Sequence, residues 1–150
     1  MKLAIASDHG GYELKQKLMP YIELLGHELT DMGCYSEMSV DYPDYAFPLA
    51  EAVAAGEYER GIVICGTGIG VSICCNKVAG IRCALCGDIL SAELTRRHND
   101  SNVLAMGGRI IGPETAKAIV RTWLATPFEG GRHEGRIAKI SAYEAGAEKE

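Results

Sequence analysis

No purely apolar run in this 150-residue sequence exceeds a few residues, far short of the ~18 that a membrane-spanning helix needs. Positive charge does not prevail either: 15 Lys and Arg stand against 20 Asp and Glu, a formal charge of −5. A binder of phosphate backbones needs clustered basic surface, so nucleic acid is not an expected partner. The apolar block after Met1 and Lys2, Leu3–Ala6, is too short for a secretory signal, and a cytoplasmic location is expected. Metal-ligand spacing is missing too. Four histidines are scattered without a paired ligand, so neither metal nor cofactor is expected. Six cysteines do not make a disulfide framework, because a chain of this size buries enough core without one and the thiols stay reduced.

Glycine is what the sequence has in excess, 18 of 150 residues, against roughly 7% in average proteins. These glycines fall in pairs and triplets at segment boundaries, where a backbone must come close to a ligand. Between them, strand and helix patterns alternate. Strands are expected at Lys2–Ser7, Glu28–Met32, Gly61–Cys65, Ile81–Cys86 and Val103–Met106. Helices are expected at Tyr12–Leu25, Tyr45–Ala55, from Gly70 to about Lys77, and at Ile89–Arg97, Pro113–Ala125 and Arg132–Tyr143, with fraying from Gly146 to Glu150. No repeat or linker interrupts the alternation, so residues 1–150 read as one domain, a three-layer α/β/α sandwich on five parallel strands.

In such sheets ligands bind beyond the carboxyl ends of the strands. Cys65-Gly66-Thr67-Gly68-Ile69-Gly70 occupies such an exit, and its glycines let successive backbone N–H groups turn toward one point, an anion hole. Neither G-x-G-x-x-G nor G-K-[ST] is complete there, so no nucleotide fingerprint applies. Cys65 lies at the mouth, where the helix dipole and amides favour its thiolate form. At the first strand exit, Asp8 can accept from sugar hydroxyls and His9 can meet an anion. His98 ends a helix, and histidine is the residue type suited to a proton shuttle near neutrality. Arg132 and Arg136, four apart at a helix start, share one face and can grip one phosphate. Each motif has a plainer structural reading: a tight turn at Gly66–Gly70, helix caps at Asp8 and His98, a solvated basic face at Arg132 and Arg136. Cys83 and Cys86 fit C-x-x-C, but in a strand they point to opposite faces, which argues against a redox or zinc pair. Cys74 and Cys75 read as packing, and His27 as surface.

Taken together, Ser7–Gly11, Asp41-Tyr42-Pro43, Cys65–Gly70, Asn76-Lys77, His98–Asn102 and Gly130-Gly131-Arg132-His133 resemble the type B ribose-5-phosphate isomerases, from the first strand through the last helix. The resemblance implies a Rossmann-like fold and metal-independent interconversion of ribose 5-phosphate and ribulose 5-phosphate through a cis-enediolate. It implies a homo-oligomer, dimer or tetramer, with sites between subunits and the last helix, about 132–143, against a partner. Cys65 is similar to the family's base. Thr67 with the amides of Gly66, Gly68, Ile69 and Gly70 resembles its enediolate cradle, and His98 its ring-opening acid and base. Asp8, Tyr42 and Asn99 match hydroxyl-holding positions, and His9, Arg109, Arg132 and Arg136 the phosphate grip. A second subtype places a carboxylate base where this chain has Val71, so the chain resembles the thiol subtype. Related galactose-6-phosphate isomerases divide the constellation between two chains, whereas this chain carries all of it. Allose 6-phosphate and galactose 6-phosphate are the competing substrates, and a non-catalytic sugar-phosphate sensor is the alternative from another class.

Overall fold

The structure, a computed structural model, describes residues 1–146. Its strands are β1 (Lys2–Ser7), β2 (Glu28–Asp31), β3 (Arg60–Cys65), β4 (Cys83–Leu85) and β5 (Val103–Gly107). Its helices are α1 (Tyr12–Leu24), α2 (Pro43–Ala54), α3 (Ile69–Asn76), α4 (Ile89–Leu94), α5 (Pro113–Ala125) and α6 (Arg132–Glu144). All strands pair in parallel, in the order β2-β1-β3-β5-β4. The chain belongs to the α/β class, as the alternation of its patterns predicts. The fraying expected near the C-terminus falls almost wholly on 147–150, outside the described residues.

Alternation along the central strands splits the core in two. Leu3, Ile5, Ile62, Ile64, Leu104 and Met106 face α1, α4 and α5, where Trp123 is fully buried. Ala4, Ala6, Val63, Cys65, Val103 and Ala105 face α2 and α3. Period-2 geometry sends successive side chains to opposite faces, so strands buried on both sides are apolar throughout. Cys83 packs on the second face and Cys86 on the first, as their spacing requires.

Several boundaries differ from the sequence pattern for local reasons. Helix α2 starts at Pro43, two residues early, because a proline at the first helical position has no N–H to satisfy. Strand β4 has three residues instead of six. Before it, the amides of Arg82 and Cys83 are taken by the side chains of Asn102 and Asn76, at 2.8 Å each. The expected helix Ile89–Arg97 stops at Leu94 and widens into a π-type turn, Thr95–Asn99, closed by Asp100 in the left-handed region (φ 45°). His27 is half-buried, its Nδ1 3.1 Å from the terminal amine.

The order reverses between β1 and β3: β1 leads outward to β2, while β3 lies on its other side. The crevice between their carboxyl ends is therefore the position where α/β sheets bind ligands. The loop after β1 packs tightly against the end of β3 beside it. A Cβ on Gly11 would collide with the Ile64 carbonyl and side chain. Gly11→Ala should thus destabilise by about 1–3 kcal/mol, the usual cost of overpacking. A urea midpoint equal to that of the parent chain would contradict this close approach.

Candidate active site

The carboxyl edge of the sheet gathers most of the expected residues. Cys65 ends β3, and the turn after it brings the Gly68 amide to donate to Cys65 Sγ at 3.1 Å. That turn requires φ +80° at Gly68, with Met106 backbone and Leu85 packed where a side chain would stand. Thr67 Oγ1 accepts from the Ile69 amide at 3.2 Å, fixing the start of α3. Arg109 N donates to Gly66 O at 2.9 Å, and the guanidinium lies beside Gly66. Asp8 is buried and accepts from the Gly11 amide at 3.1 Å. The Tyr42 ring rests on Gly70, where a Cβ would come within 2.6 Å of it. His9 Nδ1 accepts from the Val40 amide at 3.1 Å, which directs Nε2 away from that bond. His9 and Arg109 line one cavity of about 420 Å³ beside Gly10 and Gly108.

Cys65 itself is only 5% exposed. Three other thiols are held toward their neutral form by their surroundings. Burial pushes Cys86 up to about 11, with the Asp88 charge adding to it. Cys74 is raised by burial, and Cys83 by a hydrogen bond with Cys75 and then by burial.

A buried lysine fastens the loop that carries Tyr42. Lys15 is fully buried, with Nζ 2.6 Å from Asp31 Oδ1 and 2.5 Å from the Cys34 carbonyl. Such a charge is tolerated because both oxygens satisfy it.

His98, Asn99, Arg132 and Arg136 lie elsewhere. Residues 98–99 precede β5, and Val103 at its start pairs with Gly61, whereas Cys65 pairs with Gly107. Four residue steps at about 3.3 Å separate those ends by roughly 13 Å along the strands. The π-type turn is held at the amino edge by backbone contacts: Arg82 Nε donates to Asn99 O at 2.8 Å and Nη2 to Asp100 O at 2.9 Å. Buried Arg96 donates to Asp100 Oδ1 at 2.8 Å and Ser101 O at 2.7 Å. Trp123 Nε1 completes the network on Ser101 Oγ at 2.9 Å. Helix α6 begins at Arg132, so Arg132 and Arg136 share its first turns, and His133 stacks on His98 with centroids 4.4 Å apart. Burial lowers the proton affinity of His133; His98 and Arg132 add to this and Glu129 opposes it. His98 and Asn99 line a different cavity, about 700 Å³, with Arg82 and Ile140. Within one chain the constellation is therefore two clusters at opposite edges of the sheet.

A thiol under an amide turn, with a histidine and an arginine flanking the same crevice, suits proton transfer on an anionic sugar. Residues 3–140 match the family model described as ribose/galactose isomerase. The chain belongs to the ribose/galactose isomerase family. It is 49% identical to ribose-5-phosphate isomerase B of Escherichia coli, over 95% of this chain and 96% of that one. It is 42% identical to a D-erythrulose-4-phosphate isomerase of Pectobacterium atrosepticum, over 96% of this chain and 95% of that one. A ribose-5-phosphate isomerase B from Clostridium thermocellum superposes with a TM-score of 0.96 at 50% identity, covering 98% of this chain and 99% of that one. As a member of the ribose/galactose isomerase family, the chain is an aldose–ketose isomerase acting on sugar phosphates. No helix among its described residues is long and apolar enough to cross a membrane.

Sequence reasoning gives no sign of how three side chains pack around these two clusters. Lys15 gave no signal, since a lysine in a helix ordinarily reads as surface. Arg96 looked like one more basic residue near a helix end. His133 was visible beside Gly130-Gly131, but its stacking on His98 depends on where α6 turns back.

Proposed function

We propose that the chain interconverts ribose 5-phosphate and ribulose 5-phosphate, with Cys65 as base, in a homodimer or larger homo-oligomer whose sites each draw on two chains. The observation that carries this reading is the Gly68 amide donating to Cys65 Sγ at the switch-point crevice, beside His9 and Arg109. The substrate is mostly a closed ring, so it must first be opened by proton transfers at the ring oxygen and the C1 hydroxyl. His98, with Asn99 orienting hydroxyls, performs this step. Cys65 thiolate then takes the C2 proton, and negative charge spreads over the enediolate oxygens. Thr67 and the turn amides hold that charge. The Cys65 thiol returns the proton to C1, giving the ketose. Asp8 and Tyr42 hold hydroxyls; His9, Arg109, Arg132 and Arg136 hold the phosphate.

That Cys65 follows the carboxyl end of β3 while His98 precedes the amino end of β5 supports a site drawn from two chains. In that arrangement a second copy supplies its amino-edge cluster to the first copy's crevice. Exposed apolar side chains support that partner. Ile69 and Ile73 on α3 and Leu85 on the edge strand are 52%, 55% and 43% exposed. Helix α6 buries only His133 and leaves Ile140 and Tyr143 to solvent. Apolar patches of this kind mark interfaces, and a two-fold arrangement would build two equivalent sites.

The test offers purified protein ribose 5-phosphate in excess chelator and follows ribulose 5-phosphate. Parallel assays use allose 6-phosphate, galactose 6-phosphate and D-erythrulose 4-phosphate. Turnover with ribose 5-phosphate at a kcat/KM above the other three is the expected result. No turnover of any of them, with tight binding retained, would instead describe a sugar-phosphate sensor.

A further inference from the structure

His133 is 4% exposed, and its Nε2 is the only buried side-chain nitrogen or oxygen without a hydrogen-bond partner among the described residues. Interiors rarely leave such an atom unpaired, and it asks for a partner. Its ring lies against His98, planes 19° apart. Exposed Glu129 completes the group: one ligating atom from each of His98, Glu129 and His133 lies within 4.8 Å of the other two. The isomerisation steps proposed above assign no role to Glu129 or His133.

We propose that His98, Glu129 and His133 form a binding site for a borderline divalent transition metal, of the class of Zn²⁺ or Co²⁺, and that this ion inhibits the enzyme. Two imidazoles and a carboxylate are a donor set suited to such an ion, whereas Mg²⁺ and Ca²⁺ prefer all-oxygen cages. Three protein ligands leave one tetrahedral position for water or substrate oxygen. Bonds of about 2.0–2.2 Å bring tetrahedral ligands to about 3.3 Å from one another, so the present group must contract. A metal bonds in the plane of an imidazole, and two nearly parallel rings cannot both aim at one point. One ring therefore turns out of the stack. His98 is that ring, since it is half-buried at the end of a wide turn while His133 is enclosed. Glu129 reaches in from the Thr126–Gly131 segment, where its amide already donates to the Arg97 carbonyl at 3.1 Å. Arg132 and Arg136 oppose a cation here and keep the affinity below that of a structural metal site.

Zinc bound in this way removes His98 from the substrate, so inhibition (though not binding) rests on the ring-opening role proposed above. The sequence holds no sign of the site, because residues 98, 129 and 133 match no ligand spacing.

Equilibrium dialysis of the full chain carrying Cys65→Ala, which removes the competing thiol of the crevice, measures Zn²⁺ binding directly. One ion per chain is expected. Glu129→Gln and His98→Asn should each weaken it tenfold or more, and both replace side chains with solvent exposure, so thermal melting should show the fold retained. Co²⁺ loading should give tetrahedral ligand-field absorption without a thiolate charge-transfer band. Unchanged affinity in both variants, or a thiolate spectrum, refutes the site. With the unsubstituted enzyme, Zn²⁺ should suppress turnover of ribose 5-phosphate and a chelator should restore it. Zinc held by these three residues with turnover undiminished would keep the metal site and overturn both its inhibitory effect and the role given to His98.

Discussion

Cys65→Ala is expected to lower turnover by at least ~10²–10⁴-fold, the range a positioned acid or base contributes, while sugar-phosphate binding persists. Cys65 Sγ is the atom at the crevice that combines proton affinity with a donor already aimed at it, the Gly68 amide at 3.1 Å. Other candidates are engaged or unsuitable. Asp8 Oδ1 is held by the Gly11 amide, and the side chain at Val71 is apolar and buried. Removing sulfur leaves the turn, the His9–Arg109 cavity and the Asp8 carboxylate in place, so recognition survives when proton abstraction does not. The readout is exchange of the C2 hydrogen with labelled solvent, beside the dissociation constant of an unreactive sugar-phosphate analogue. Exchange at near-parent rates in the variant would show that another group is the base.

Mixing two inactive variants, Cys65→Ala and His98→Asn, should restore activity. In a two-fold dimer whose crevices each receive the partner's amino-edge cluster, every mixed dimer has one site with both groups intact and one with neither. Each mixed dimer should then reach up to half the activity of the parent dimer. The same recovery is expected when Arg132→Ala/Arg136→Ala replaces His98→Asn, because α6 starts at the same edge as the π-type turn. Loss of a guanidinium from a phosphate contact costs ~1.5–3 kcal/mol, so Arg132→Ala alone and Arg136→Ala alone should each show KM raised by one to two powers of ten. The experiment co-refolds differently tagged chains, isolates the doubly tagged species and assays it. Doubly tagged dimers without activity would place Cys65 and His98 in one chain's site and sink the shared-site proposal.

The pattern of the sequence carries the layers of the fold well. Helix α5 is legible to the residue, from Pro113 to Ala125, because proline and apolar periodicity mark its start and face. The turn after Cys65 is legible because closely spaced glycines after a β-branched run have few other uses. What the sequence does not carry is strand order. Placing β5 between β3 and β4, rather than at the edge, is a tertiary outcome. The order of segments puts His98 before a strand and Cys65 after one. Only the parallel pairing of Gly61–Cys65 with Val103–Gly107 turns that into opposite ends of the molecule. The widened turn at Thr95–Asn99 is equally hidden, since it depends on Arg96 finding Asp100, Ser101 and Thr126 at once.

That separation of edges has a bearing on inheritance. A substitution at Asn99 or Arg136 leaves the packing around Gly66–Gly70 untouched, and the reverse also holds, so each edge can decay without unfolding the other. If a gene encoding such a chain is duplicated, one copy can lose its crevice and the other its amino-edge cluster. On the shared-site proposal, the pair still assembles one working site per dimer. Selection then retains both copies, because neither suffices alone. An obligate two-gene enzyme can arise in this way by losses only, with no new chemistry at any step.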